Sequence, residues 1–369
     1  MIKEQKIVDD LIEFVKKILN QTGFVKIIDI DSKKQGYAIN KEAKKVDILI
    51  KVETNYQEQH LIFVEVKSSG EPRIARLAAY QIKDYIKNLK NSYGVLGAPF
   101  ISKESAAICL QNGIGFIDLA GNCLFNFDNL YLSIQGKPNL NREIRLLRSI
   151  FTPVASRALR VMLVNPKREW LVQELSGEAD MSLGQASNLK RKLLDNEYIK
   201  ETEVIVKKGK RFKLSNPEGL LRKWVENYSY LKNNMRNFYS FDDPKTIEDK
   251  FARYCSDNNI SYAFTLTSGA SFVAPYLRYS RVFVYVKGMV DEIANKFDLK
   301  EVTTGANLSI LEPYDKGILY GAQEFYHKEQ IQGYKVVSDI QLYLDLKSYK
   351  ERGDEAAEMI FEQRLKKQW

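Results

Sequence analysis

Residues 45–67 read "KVDILIKVETNYQEQHLIFVEVK", two apolar runs with polar residues at alternate places, joined by a polar stretch about Tyr56. A period of two is that of a strand, whose side chains point to opposite faces in turn. Two such runs around a polar turn predict an antiparallel hairpin. In the second run Leu61, Phe63, Glu65 and Lys67 share one face, while Ile62, Val64 and Val66 share the other. Two charges therefore end a partly apolar face, where an unpaired buried charge is costly. Asp47 and Glu65 are equidistant from Tyr56, so a regular hairpin sets them opposite each other, with side chains roughly 5 Å apart. Two carboxylates and an ammonium group then converge on one small volume. Such a set can hold Mg²⁺, which favours carboxylate oxygens, and its lysine can orient or activate a water and offset charge on a phosphate. The alternative is a surface hairpin whose Glu and Lys simply point outward.

At this point the chain resembles a known family. "VDILI" followed by "VEVKSS" is similar to the PD-(D/E)xK phosphodiesterase core of restriction endonucleases, Holliday junction resolvases and RecB-type nucleases. The resemblance implies an α/β fold, a restriction endonuclease-like mixed sheet flanked by helices, over residues 1–138. It also implies that Asp47, Glu65 and the Val66 carbonyl bind Mg²⁺ or Mn²⁺ and that Lys67 assists the attacking water. "YQIKDY" carries Gln81 and Tyr85 four apart, hence on one helix face, and is similar to the QxxxY motif of RecB-like nucleases. Glu13, on an amphipathic first helix, sits where related nucleases often carry a further acidic ligand, although an acid on such a helix is ordinarily just solvated. Asp47 lacks the proline that precedes the aspartate in the nominal motif. Asp118 and Asn122 in "GFIDLAGN" read as a strand ending in a turn, with a site role for Asp118 the weaker alternative.

After "QGKPNLNREIRL", which reads as a linker, three short helical segments and two strand-like runs follow. This is the layout of a winged helix-turn-helix, residues 145–215. Ser182 is the expected N-cap of its third helix, whose exposed positions include Gln185, Ser187, Asn188, Lys190, Arg191 and Lys192. The turn "KKGKR" puts Lys207, Lys208, Lys210 and Arg211 at a wing tip. The chain carries a formal charge of +9, and these two elements give that charge a location facing double-stranded DNA. A winged helix can also serve as a protein-interaction module. A two-fold DNA site would call for a homodimer.

Residues 216–369 read as an α+β domain. "TLTSGASFVAPYLRYSRVFVYVKG" has the turn, helix and strand order of nucleotidyltransferases, but "VFVYV" lacks the paired carboxylates those enzymes need, so an inactive version of that fold is expected. "YKVVSDIQLYLDLKSYKERGDEAAEMI" resembles the carboxyl-terminal part of AbiEi-type antitoxins of type IV toxin–antitoxin systems, which implies a DNA-binding repressor and a toxin or other protein partner. Asp339 and Asp345 are expected on the surface of this region. With 2 His and 3 Cys in 369 residues, a His-rich zinc site and a disulfide framework are both disfavoured. The first twenty residues alternate charged and apolar side chains, so neither a signal peptide nor a membrane span is expected, and the protein reads as cytoplasmic. Three functions follow: a metal-dependent DNA phosphodiesterase; a transcriptional regulator or antitoxin-like repressor on a silent nuclease-fold scaffold; or an RNA-directed nuclease, told apart by whether cleavage requires duplex DNA.

Overall fold

A computed structural model of the chain describes residues 4–32, 37–39, 42–44, 46–139, 150–206, 209–273, 279–326, 333–349 and 353–369. It divides into two compact units, Met1–Leu146 with Asp195–Glu197, and Leu147–Leu194 with Tyr198–Trp369.

The first unit runs α1 (Glu4–Gln21), β1 (Val25–Asp31), β2 (Tyr37–Ile39), β3 (Glu42–Lys44), β4 (Ile48–Thr54), β5 (Gln59–Val66), α2 (Pro72–Ile86), β6 (Ser92–Ala98), α3 (Lys103–Gln111), β7 (Gly115–Asp118), β8 (Cys123–Phe127) and β9 (Leu130–Ile134). The described residues form a seven-stranded mixed sheet in the order β1-β4-β5-β6-β7-β8-β9, parallel at β5-β6 and β6-β7 and antiparallel elsewhere. The α1 stripe Ile7, Leu11, Val15 and Ile18 packs on Ile48, Ile50, Ile62, Val64 and Val66, the apolar side of the hairpin. On the opposite face α2 presents Ala75, Ala78, Ala79 and Ile82 to Leu96, Ala98 and Phe116.

Alanines at this spacing let α2 lie close to the sheet, and Gly94 on β6 completes the fit. A Cβ on Gly94 would stand 2.0 Å from Ile82 Cγ2. Ile82 is fully buried, and a β-branched side chain in a helix has essentially one χ1 rotamer, so it cannot swing aside. Gly94→Ala is therefore expected to destabilise the first unit by about 1–3 kcal/mol through overpacking, read as a lower urea midpoint at unchanged slope.

In the second unit, α4 (Pro153–Val164), α5 (Val172–Glu178) and α6 (Leu183–Asp195) precede the antiparallel pair β10 (Ile199–Val206) and β11 (Gly209–Leu214). Then come α7 (Pro217–Val225), β12 (Asn234–Tyr239), α8 (Pro244–Asp257), β13 (Tyr262–Phe264), α9 (Leu266–Val273), β14 (Val282–Val286), α10 (Val290–Lys296), β15 (Lys300–Glu301), β16 (Leu308–Glu312), β17 (Gln323–Phe325), β18 (Tyr334–Val336), α11 (Asp339–Ser348) and α12 (Gly353–Ile360). The sheet among the described residues is ordered β15-β12-β16-β14-β13-β18-β17. One apolar core runs from Leu159, Met162, Trp170, Leu189 and Phe212 into Val284, Ile310, Leu342 and Phe361.

Two expectations change. The strand expected over "YAFTLTS" stops at Phe264, because Leu266 adopts φ +49 and opens α9. Asp339 and Asp345 lie on a helix, α11, but are buried rather than on its surface. Of the expected linker, Gln135 to Asn139 have no regular secondary structure and 140–146 lie outside the described residues. Among the described residues no helix is long and apolar enough to cross a membrane.

Candidate functional site

The β4-β5 register pairs Ile48 with Val64 and Leu49 with Phe63. One step further, Asp47 stands beside the end of β5, where its Oδ2 accepts a 2.7 Å hydrogen bond from the Val66 N–H. A strand residue sends its N–H and C=O to the same side, so the Val66 carbonyl also leaves toward Asp47. Glu65 and Lys67 turn to the opposite face from Val66, toward α2. Lys67 Nζ lies 2.6 Å from Glu65 Oε1 and 3.1 Å from Gln81 Oε1, and Gln81 in turn donates through Nε2 to the Tyr85 hydroxyl. The structure thus brings Asp47, Glu65, Val66, Lys67, Gln81 and Tyr85 into one group. Glu13 is exposed on α1 and makes no hydrogen bond to the described residues of that group.

Glu65 is 5% exposed. Its Oε2 is buried without a hydrogen-bond partner. Burial raises its carboxyl above the usual carboxylate range; Lys67 and a Gln81 hydrogen bond oppose that shift, and the Asp47 charge adds to it. Burial likewise raises the Tyr85 hydroxyl. An orphaned carboxylate oxygen beside a second carboxylate is the donor set a hard divalent cation takes, in contrast to a finished ion pair. The residues present therefore fit Mg²⁺ or Mn²⁺.

Asp118 is fully buried, and it is a turn anchor. Its carboxylate accepts from the N–H groups of Ile101 and Asn122 at 3.1 and 2.8 Å and from Asn122 Nδ2 at 2.9 Å. Asn122 in turn bonds the backbone of Lys137 both ways.

In the second unit Ser182 Oγ accepts from the Gln185 N–H at 3.2 Å while Gln185 Oε1 accepts from the Ser182 N–H at 3.0 Å, a reciprocal cap that starts α6. Gln185 is thus engaged at the helix end. Ser187, Asn188 and Arg191 are exposed, with Arg191 Nη2 donating to Asn188 Oδ1 at 2.9 Å. Lys190 pairs with Glu201 of β10 at 2.8 Å, and Lys192 is partly buried. Lys210 lies 3.8 Å from Glu201, and Arg211 grips Glu174 on α5 at 3.0 and 3.1 Å. Arg211 therefore ties the hairpin to α5. Lys207 and Lys208 lie outside the described residues.

Deeper in this unit a polar chain crosses the core. Arg160 of α4 donates to Gln341 Oε1 at 2.9 Å, and Gln341 Nε2 donates to Asp345 Oδ1 at 2.9 Å. Asp345 also accepts from Tyr228, Tyr285 and Thr265.

Residues 213–366 match a family described as transcriptional regulators, AbiEi antitoxins of type IV toxin–antitoxin systems. The match begins in β11 and takes in the Asp345 network apart from Arg160. It leaves the first unit outside. No curated protein matches the chain. A solved structure of EndoMS in apo form aligns at 11% identity and TM-score 0.20 over 29% of this chain, which spans 45% of that one. A likeness of that size carries nothing further.

All three cysteines are free and buried. Burial pushes the thiols of Cys109 and Cys255 up to about 12 and that of Cys123 to about 11. They are core residues, since a reactive cysteine needs a depressed value.

Proposed function

We propose that this is a cytoplasmic DNA-binding protein whose first unit is a Mg²⁺- or Mn²⁺-dependent phosphodiesterase acting on double-stranded DNA. The observation that carries this reading is the buried, unpartnered Oε2 of Glu65 in a group that also holds Asp47 and Lys67. Asp47, Glu65 and the Val66 carbonyl would hold the cation, which when bound lowers the pKa of a coordinated water and neutralises charge on the phosphate. Lys67 carries its positive charge next to the scissile phosphate and orients the water, Gln81 holds the Lys67 ammonium, and Tyr85 holds Gln81. The α4–α6 helices with the β10-β11 hairpin act as a winged helix that meets the duplex through Ser187, Asn188 and Arg191. Their exposure, and the +9 charge of the chain, support that role.

A second reading is favoured by the family match over 213–366. On it the protein is a transcriptional regulator or antitoxin-like repressor with a protein partner, and the first unit is a silent scaffold.

Incubation of the full-length protein with supercoiled and linear DNA in Mg²⁺, Mn²⁺ or excess EDTA separates the two. Cutting in either metal and none in EDTA is the expected result. Intact DNA in every condition, alongside a salt-sensitive mobility shift, would sink the phosphodiesterase and leave the regulator.

A further inference from the structure

On the other face of β5 lies a second group of donor atoms that the phosphodiesterase reading does not use. His60 pairs with Val52 in the β4-β5 register and shares the α1 face with Ile62 and Val64. Its Nε2 lies 3.8 Å from Glu58 Oε2 and 4.0 Å from Asp128 Oδ2. The ligand atoms of Glu58, His60 and Asp128 all fall within 4.8 Å of one another. His60 is 7% exposed, and its Nε2 is buried with no hydrogen-bond partner. Among the described residues no Lys or Arg pairs with either carboxylate, in a chain with 56 Lys and Arg. Two acids that pair with no Lys or Arg among the described residues, with an orphaned imidazole nitrogen between them, form an incomplete constellation.

The geometry points to a three-ligand site for a borderline divalent metal of the Zn²⁺ type, held by Glu58, His60 and Asp128. Imidazole with carboxylates selects such an ion over Mg²⁺, which prefers oxygen alone. Ligands at Zn²⁺ distances of about 2.1 Å in a tetrahedron stand about 3.4 Å apart. The two His60 separations therefore exceed bonding geometry by about half an ångström, which exposed carboxylates at turns can close. Three protein ligands leave a fourth position for water.

The site's place in the fold indicates what the metal would do. β5 and β8 are separated by β6 and β7. Three strand spacings on a flat sheet amount to about 14 Å. Asp128, in the β8-β9 turn, nevertheless comes within 4.0 Å of His60, and the Phe127 ring packs tilted against both His60 and Tyr93 at centroid distances of 5.5 and 5.2 Å. The sheet curls to bring the β8-β9 turn onto the β4-β5 turn, and a bound metal would clip the curl closed. His60 and Glu65 are five residues apart on one strand and face opposite sides, so this site is separate from the Asp47 group.

The test is Zn²⁺ and Co²⁺ titration of EDTA-stripped full-length protein carrying Asp47→Asn and Glu65→Gln, which removes the other acidic group. Calorimetry, Co²⁺ visible absorption and the imidazole ¹⁵N shifts supply the readouts; the chain has 2 His, so the last is simple to assign. One equivalent should bind, shift the Nε2 of His60, and raise the thermal midpoint. Adding Asp128→Asn should weaken binding at least about 100-fold, the upper end of what loss of an outer partner costs. Asp128 sits at φ +49, a conformation Asn tolerates, so this variant keeps its fold; Glu58→Gln, at an exposed turn, provides a second. Binding that ignores both substitutions, no binding below millimolar metal, or an unmoved His60 resonance would each overturn the proposal.

Discussion

Lys67→Ala is expected to lower the rate of metal-dependent DNA cleavage by about 10²–10⁴-fold, the span for losing a positioned proton-transfer or charge-stabilising group. DNA affinity, carried by the second unit in this reading, should stay within about twofold. Two effects combine in that loss. The ammonium no longer meets the phosphate, and Glu65, already raised by burial, loses the group 2.6 Å from its Oε1 that favours its charged form. The Mg²⁺ concentration for half-maximal rate should consequently rise as well, most clearly at low pH, where Glu65 is more fully protonated. Glu65→Gln should be as severe in rate, because the amide offers one oxygen where the carboxylate offers two. Gln81→Ala, which removes a support of Lys67 and a hydrogen bond to Glu65 but neither charged group itself, should cost less than either. Initial rates on supercoiled plasmid against Mg²⁺ concentration check the series. Wild-type cutting by Lys67→Ala would remove the assignment.

That this group is assembled from distant residues was legible because a hairpin obeys simple arithmetic. Asp47 and Glu65 mirror each other about Tyr56, the observed pairs Ile48 with Val64 and Glu53 with Gln59 keep that centre, and a period of two separates Glu65 from Val66. Gln81 and Tyr85 were legible from helical spacing. The Glu58, His60 and Asp128 group was not. Its third member joins only because the sheet curls by three strands, and no local period encodes curl. The wing shows a similar limit. Arg211 and Lys210 carry the same charge in sequence, but Arg211 is held across to α5 by Glu174 while Lys210 pairs within the hairpin, with Glu201, and which acid each surface cation meets depends on how α5 meets the hairpin. Asp345 misled for a related reason. An acid in an amphipathic-looking run is ordinarily solvated, and its burial becomes intelligible only when Tyr228 and Tyr285, over 50 residues upstream, supply their hydroxyls.

Asp345→Asn is expected to keep the fold and to flatten one segment of the stability–pH curve. Burial pushes the Asp345 carboxyl up to about 6 from an ordinary 3.8, against the pull of its bonds from Thr265, Tyr228, Gln341 and Tyr285. A carboxyl raised on folding binds its proton more tightly in the native state, so stability from this group is greatest below about pH 4 and is lost as pH rises through about 6. Two units correspond to about 3 kcal/mol of differential interaction. Relative to Asp345→Asn, the wild-type protein should lose about that much between pH 4 and 6 and then run parallel, as urea unfolding at intervals across that range would show. Asn can keep the bonds at Oδ1 from Tyr228, Tyr285 and Gln341, and the Thr265 hydroxyl, which donates to Oδ2 in the native protein, can turn to accept from the amide. Asp345→Ala strands four donors instead and should cost several kcal/mol at every pH, at about 1–3 kcal/mol for each group left unpaired. If Asp345→Asn follows the wild-type curve through pH 4–6, the buried carboxyl is not the group that titrates. Because Gln341 carries the same network to Arg160 on α4, the Ala variant should also loosen the helices proposed to meet DNA, and duplex binding should fall with stability.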